Sequence, residues 1–149
     1  MKIERIAPSY IEGIAALERT CFAAPWSEAS LVNLCGTLGT GFVYLDDSAR
    51  VIGYIGLWFA PDEWQITNVA THPDFRRRGV ARALLKATKE AALASGILEL
   101  SLEVRASNEG AVRLYEQQGF YRAGVRRGFY KKPTEDALVM LCTFENENR

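Results

Sequence analysis

Histidine is almost absent from this chain, with His72 its only copy. Cysteine is scarce as well. Cys21, Cys35 and Cys142 lie far apart, their count is odd, and no Cys-x-x-Cys pair occurs. That spacing argues against a disulfide framework and against a zinc site, and points to three reduced thiols; no metal is expected. No apolar run approaches about 18 residues, so no membrane span is expected. The first residues, Met1 to Ile6, alternate like a strand and have no signal-peptide core, which places the expected protein in the cytoplasm. An excess of one charge is missing too, since 18 Lys and Arg balance 18 Asp and Glu. A broad basic face for nucleic acid is therefore not expected. No repeat, low-complexity stretch or Pro/Gly/Ser-rich linker interrupts the 149 residues, a length that fits one domain over 1–149.

What is present is a well-patterned core: 48% of the residues are apolar. Residues 2–7 alternate as a short strand. Ser9 is a plausible cap for a helix carrying Ile11, Ile14, Ala15, Leu17 and Glu18. Ala24-Pro25-Trp26-Ser27 breaks it, and Ser27 caps a second helix from Glu28 to Leu34. Gly39 to Gly41 reads as punctuation before the strands 42–45 and 51–59, which the turn Asp46-Asp47-Ser48 joins. Glu63 to Ala70 is the next strand, closed by His72-Pro73; that setting gives His72 a structural part rather than a catalytic one. From Val80 to Ser95 the period changes, with Val80, Leu84, Leu85, Thr88, Ala91 and Ala92 on one helical face. Gly96 stops this helix. A strand over 97–104, a helix over 108–118 stopped by Gly119, and strands over 120–130 and 137–144 complete the chain. The tail 145–149 is polar and expected to fray. The order β-α-α-β-β-β-α-β-α-β-β predicts an α/β fold, a mixed central sheet flanked by helices. Its strand–helix–strand unit from Glu63 to Val104 should be a right-handed parallel crossover, with function at the carboxyl ends of the strands.

One loop on that unit has a chemistry of its own. Arg76-Arg77-Arg78-Gly79-Val80-Ala81-Arg82 follows a strand and opens a helix. The first helical turn offers unpaired amides and the positive end of the macrodipole. Gly79 lets a ligand approach the backbone, and four arginines add positive charge. Together these suit a phosphate. The loop is neither a Walker A loop, since no Gly-Lys-Ser/Thr follows, nor a dinucleotide fingerprint, since it has one glycine. By these residues alone, a solvated basic loop before a surface helix stands equally open.

Arg-x-x-Gly-x-Ala at the start of a helix, after a strand ending Asn-Val-Ala-Thr-His-Pro, resembles the acyl-CoA motif of the GNAT acetyltransferases. The resemblance extends over almost the whole chain, so that 1–149 would be one GNAT domain. Within the family, Ala-Ala-Pro-Trp-Ser-Glu (23–28), Leu-Glu-Val-Arg-Ala-Ser-Asn (102–108), Leu-Tyr-Glu-Gln-Gln-Gly-Phe (114–120) and Glu-Asp-Ala-Leu-Val-Met (135–140) resemble the RimI type, the ribosomal-protein-alanine N-acetyltransferases. The run 102–108 is the most specific of these. The resemblance implies acetyl-CoA as co-substrate. Backbone groups of Val69, Ala70 and Thr71 would pair with its pantetheine arm, the amides of Arg77, Arg78, Gly79, Val80, Ala81 and Arg82 would hold its pyrophosphate, and Asn108 would bond the pantetheine region.

Acetyl transfer to an amine needs a neutral nucleophile, donors for the oxyanion and a proton for the leaving thiolate. On strand 97–104, Leu98, Leu100, Leu102 and Val104 share one face, while Glu99, Ser101, Glu103 and Arg105 share the other. A polar face on a central strand suggests that it borders a cleft. By the residues alone, Glu103 pairs with Arg105 or with solvent; the resemblance makes it the general base, acting through water. Tyr115 lies on a face that packs against the sheet, as a core tyrosine would, and the resemblance makes it the general acid. The amide of Val69 or Ala70 is the expected oxyanion donor. Trp26, Tyr130 and the segment Gly128 to Pro133 are the candidates for binding the acceptor; the resemblance puts Trp26 in the region that shapes the acceptor groove, while by the residues alone it is equally a buried helix-packing tryptophan. The segment 126–133 departs most from the RimI pattern: Arg126-Arg127 is kept, but the loop after it is short and carries Lys131-Lys132. A protein α-amine, with pKa near 7.7–8.0, reaches its neutral form more readily than lysine, near 10.4. The expected reaction is therefore acetylation of a protein N-terminus, which the resemblance makes that of an Ala-starting ribosomal protein, without direct contact to nucleic acid. A lysine side chain or small amine as acceptor, or a non-catalytic acyl-CoA-binding module, are the alternatives; a binding module would need neither Glu103 nor Tyr115.

Overall fold

The strand and helix order read from the sequence is the order observed. The computed structural model describes residues 1–144, so the tail 145–149, expected to fray, lies outside the described residues. The elements are β1 (Lys2–Arg5), α1 (Ile11–Cys21), α2 (Glu28–Leu31), β2 (Gly39–Leu45), β3 (Val51–Phe59), β4 (Glu63–Thr71), α3 (Val80–Ala94), β5 (Glu99–Arg105), α4 (Glu109–Gln117), β6 (Tyr121–Tyr130) and β7 (Glu135–Thr143). The strands form one sheet in the order β1-β2-β3-β4-β5-β7-β6. Among the described residues only β4 and β5 pair in parallel, as the strand–helix–strand unit requires. No helix among the described residues is long and apolar enough to cross a membrane.

The local causes mostly follow from side chains. Ser27 caps α2 by accepting from the Ser30 amide at 3.2 Å. Ser9 caps nothing: a tight turn over Pro8–Tyr10 leads into α1, which has no side-chain cap. The second helix tightens to a 3₁₀ turn over Val32–Cys35, so it is α-helical only to Leu31. The glycines of 39–41 do not punctuate the chain; they lie within β2. A Cβ on Gly41 would sit 2.1 Å from the Ile55 carbonyl oxygen and one on Gly39 would sit 2.4 Å from that of Leu57. These glycines serve close approach between β2 and β3 rather than a turn.

One apolar core draws Val80, Leu84, Leu85 and Ala92 from α3 and Val112 and Tyr115 from α4. A second draws Ile11, Ile14, Ala15 and Leu17 from α1 and Leu31 from α2. Strand β3 lies between them and is buried from Val51 to Leu57, which explains its nearly continuous apolar run. Leu84 and Leu85 are fully buried, each worth roughly 1.5–3 kcal/mol of transfer free energy.

A bulge gives the sheet its opening. Gly56 faces Asn68 and Leu57 faces Ile66, which leaves Thr67 as an extra residue in β4. Such an insertion bends the strand that carries it. β4 pairs with β5 only from Glu63–Glu99 to Gln65–Ser101. Beyond that point β5 stays paired to β7 as far as Arg105–Ala137, while β4 follows β3. The carboxyl halves of β4 and β5 therefore part.

Candidate active site

The open edge of β4 has a definite set of backbone groups. The His72 amide donates to the Ile52 carbonyl at 2.8 Å, so that pair is hydrogen-bonded. Antiparallel alternation then makes Tyr54–Ala70 hydrogen-bonded and turns the peptide groups of Val69 and Thr71 toward the side where β5 has left. Ala70 spends its own amide and carbonyl on β3. On the open side the Thr71 carbonyl already accepts from Arg76 Nε and Cys21 Sγ, both at 3.4 Å.

Below this edge the chain turns through Pro73–Phe75, where His72 Nδ1 accepts from the Asp74 amide at 3.1 Å. That contact is the structural part expected of His72. Arg77, at φ 63°, and Gly79, at φ 79°, both adopt the left-handed conformation. A Cβ on Gly79 would meet nothing within 4 Å, so the space above it is open. α3 begins without a side-chain cap and without an acidic residue in its first turn. Its first internal bond runs from the Ala83 amide to the Gly79 carbonyl at 3.0 Å. The amides of Val80, Ala81 and Arg82 are thus left for an outside acceptor. The four arginines differ. Arg76 folds back to Thr71, Arg78 stacks on Phe75 at 5.3 Å, and Arg82 donates to Gln117 of α4 at 3.4 Å. Arg77 lies exposed.

Asn108 caps α4, its Oδ1 accepting from the Ala111 amide at 3.2 Å. This leaves its Nδ2 as a donor. α4 presents Val112 and Tyr115 inward. Tyr115 is 9% exposed and packs on Phe120 at 5.9 Å. Its hydroxyl has no hydrogen-bond partner among the described residues, unlike the satisfied core tyrosine that its packing face suggests. Burial first, and then the charge of Tyr130, push its phenol up to about 12. Tyr130 is raised by burial and by the charge of Glu103. Glu103, Tyr130 and Tyr115 therefore form one electrostatic neighbourhood.

Glu103, 14% exposed at its side chain, pairs with Arg126 of β6 at 3.2 Å rather than with Arg105. Arg105 is committed elsewhere. Its guanidinium donates to the Pro133 carbonyl at 3.0 Å, to the Lys131 carbonyl at 3.1 Å and to Glu135 at 3.3 Å, and it lies 4.5 Å from the Tyr130 ring centre. It builds the short 131–134 turn and fixes Tyr130 beside the opening. The polar face of β5 is thus divided. Glu103 and Arg105 border the opening, whereas Ser101 is buried and donates to Glu63. Trp26 lies across the sheet from α4, half-buried and stacked on Trp58 at 6.0 Å.

The β4 bulge and a buried polar group beneath it have no counterpart in the sequence-based site. Glu18 of α1 is fully buried. It accepts from the Trp26 amide at 2.9 Å, the Tyr54 hydroxyl at 2.7 Å and Asn68 Nδ2 at 3.0 Å. The signal was present in the sequence, since Glu18 falls on the apolar stripe of Ile11, Ile14, Ala15 and Leu17. Among the described residues no group of three His, Cys, Asp or Glu side chains is arranged for a metal.

The sequence profile of the Acetyltransferase (GNAT) family matches residues 11–120. The chain is 38% identical, over 130 residues, to the ribosomal protein bS18-alanine N-acetyltransferase of Salmonella typhimurium, covering 83% of this chain and 84% of that one. The crystal structure of the ribosomal-protein-S18-alanine N-acetyltransferase from Escherichia coli superposes with a TM-score of 0.90 at 30% identity, over 99% of this chain and 97% of that one. Arabidopsis thaliana NAA60, crystallised in complex with acetyl-CoA, has the same fold with a TM-score of 0.86 at 19% identity, over 96% of this chain and 99% of that one.

Proposed function

The chain belongs to the Acetyltransferase (GNAT) family and is an acetyl-CoA-dependent acetyltransferase; from that premise we propose that its acceptor is the N-terminal α-amine of a protein, an Ala-starting ribosomal protein. The acceptor is the one named for the Salmonella relative at 38% identity. A ribosomal acceptor places the reaction in the cytoplasm. The whole chain, 1–149, acts as one domain.

The observation that carries the chemistry is the parting of β4 from β5, which leaves the Val69 and Thr71 edge open just before the uncapped start of α3. The residues present suit the co-substrate. The open Val69 and Thr71 edge would take the pantetheine arm like an added strand, with Ala70 holding that edge to β3. The amides from Arg77 to Arg82 would hold the pyrophosphate, helped by the charge of the loop. Asn108 Nδ2 would donate to the pantetheine amides.

Glu103 takes the proton from the acceptor amine, through a water, and Arg126 holds its carboxylate in place. The Val69 amide, free of β3, donates to the oxyanion. Tyr115, protonated and without another partner among the described residues, gives its proton or its hydrogen bond to the leaving thiolate. Trp26 and Tyr130 flank the approach of the peptide, one from the α1–α2 segment and one from the β6–β7 segment.

The test is a panel of peptides with free N-termini, Ala-starting ribosomal sequences among them, incubated with acetyl-CoA and read by mass spectrometry. Small amines and an N-terminally blocked peptide containing lysine run alongside. Acetylation confined to the free α-amine is the expected result. Modification of the blocked peptide or of the small amines alone would overturn the acceptor assignment.

A further inference from the structure

A carboxylate on the buried face of a helix is costly, because burial removes its hydration. Glu18 is fully buried, yet it makes no ion pair with any described Lys, Arg or His. Its neighbours on the same stripe are Ile14, Ala15 and Leu17. An apolar residue of similar volume there would leave the three donors that Glu18 satisfies without an acceptor. Packing does not account for this glutamate.

Its hydrogen bonds do. Oε1 accepts from the Trp26 amide, in the segment between α1 and α2. Oε2 accepts from Tyr54 on β3 and from Asn68 on β4, and Asn68 also reaches the Tyr54 hydroxyl at 3.3 Å. Asn68 directly follows the bulged Thr67 and precedes Val69, whose amide faces the opening. One carboxylate thus joins the segment that carries Trp26 to the bend from which the open β4 edge starts. Trp26 is held a second time by its stack on Trp58.

We infer that Glu18 is a positioning residue for the acceptor: it fixes Trp26 and the bent half of β4 as one unit, so that the acceptor's amine meets the acetyl group along one approach. This rests on the acetyl-transfer reading but not on which amine is accepted. The effect of Glu18 on the co-substrate is the smaller one, since it reaches the β4 edge that would take the pantetheine arm but not the pyrophosphate site. The amides that would hold the pyrophosphate belong to α3 and the loop before it, and Glu18 touches neither.

Glu18→Gln keeps the volume and removes one acceptor side, and Glu18→Asp keeps the charge with a shorter reach. The measurement uses whichever amine the unaltered enzyme acetylates fastest, so a wrong guess about the acceptor does not touch it. The expected result for Glu18→Gln is a KM for that acceptor raised tenfold or more, with the calorimetric Kd for acetyl-CoA raised by a clearly smaller factor. Tyr54→Phe deletes one of the three donors without changing the fold's apolar volume, and is expected to raise the acceptor KM severalfold; it decides the matter where Glu18→Gln does not fold. A purely structural glutamate would lower Tm and the active fraction while leaving both KM values unchanged. That outcome, or an equal rise in both, overturns the inference.

Discussion

Removal of the Tyr115 hydroxyl tests the mechanism at its most exposed step. A phenol near 10 would match a thiolate well, but burial pushes Tyr115 up to about 12. A free thiol lies near 8.5, so full proton transfer from Tyr115 to a solvated thiolate is uphill by about 5 kcal/mol, at about 1.36 kcal/mol per decade. The same burial disfavours the thiolate as it forms, which narrows the gap. Tyr115 therefore acts more through a hydrogen bond to the departing sulfur than through early proton release. General acids contribute about 10²–10⁴-fold, and a mismatched one belongs at the lower end. Tyr115→Phe should lower kcat about 10²-fold, close to 3 kcal/mol of barrier. The acetyl-CoA Kd should stay within about twofold, since the change leaves the amides of α3 untouched. Tm should be unchanged or higher, because the hydroxyl has no partner among the described residues and deleting it strands no group. The sign of the pH effect is also set. Tyr115 is neutral below its raised pKa, so it contributes no fall in rate between about pH 6 and 10. The assay is steady-state release of CoA, followed with a thiol reagent, beside calorimetry and a thermal melt. A kcat equal to that of the unaltered enzyme would remove Tyr115 from the chemistry, and a loss of acetyl-CoA affinity in proportion to kcat would make it a binding residue instead.

Glu103→Gln should flatten the rise of rate with pH that a general base produces, while acetyl-CoA binding stays intact; a pH profile parallel to that of the unaltered enzyme removes the base assignment. Gly79→Val forces a branched side chain into φ 79°, at about 1–2 kcal/mol of strain, and fills the space above the α3 amides. Calorimetry should show acetyl-CoA binding weakened at least about tenfold, and unchanged affinity refutes the phosphate-loop assignment. Glu135 accepts from the Ser107 amide at 2.6 Å and pairs with Arg105 at 3.3 Å, and these contacts, the Ser107 bond first, hold its carboxyl below the usual carboxylate range. Its stabilisation is present above the unfolded carboxyl value, about 4.3, and is lost as pH falls through the lowered folded value. Melts of the unaltered chain and of Glu135→Gln should differ at neutral pH and converge in strong acid; a constant difference refutes the linkage.

Local periodicity made most of the fold legible. Val80, Leu84, Leu85 and Thr88 could share a face only on a helix, and all four are buried. Asn108 capped the helix it was expected to open. The misreadings occur where tertiary approach overrides local preference. Gly39 and Gly41 look like turn residues, but the neighbouring carbonyls of β3 leave no room for a Cβ. The site divides in the same way. Its individual residues carried local signals: a glycine before a helix, a carboxylate at a strand end, and a tyrosine on an inward face. Their arrangement depends on the bulge at Thr67 and on the parting of β4 from β5, and pairing registers leave no mark on one strand's own sequence. Glu18 shows where the two kinds of information meet. Its place on the apolar stripe of α1 is a local anomaly that the sequence displays, whereas its meaning requires Trp26, Tyr54 and Asn68, contributed by three other segments. A buried carboxylate that accepts from three donors on three segments ties those segments together, and it does so directly beneath the bend on which the proposed acetyl transfer depends.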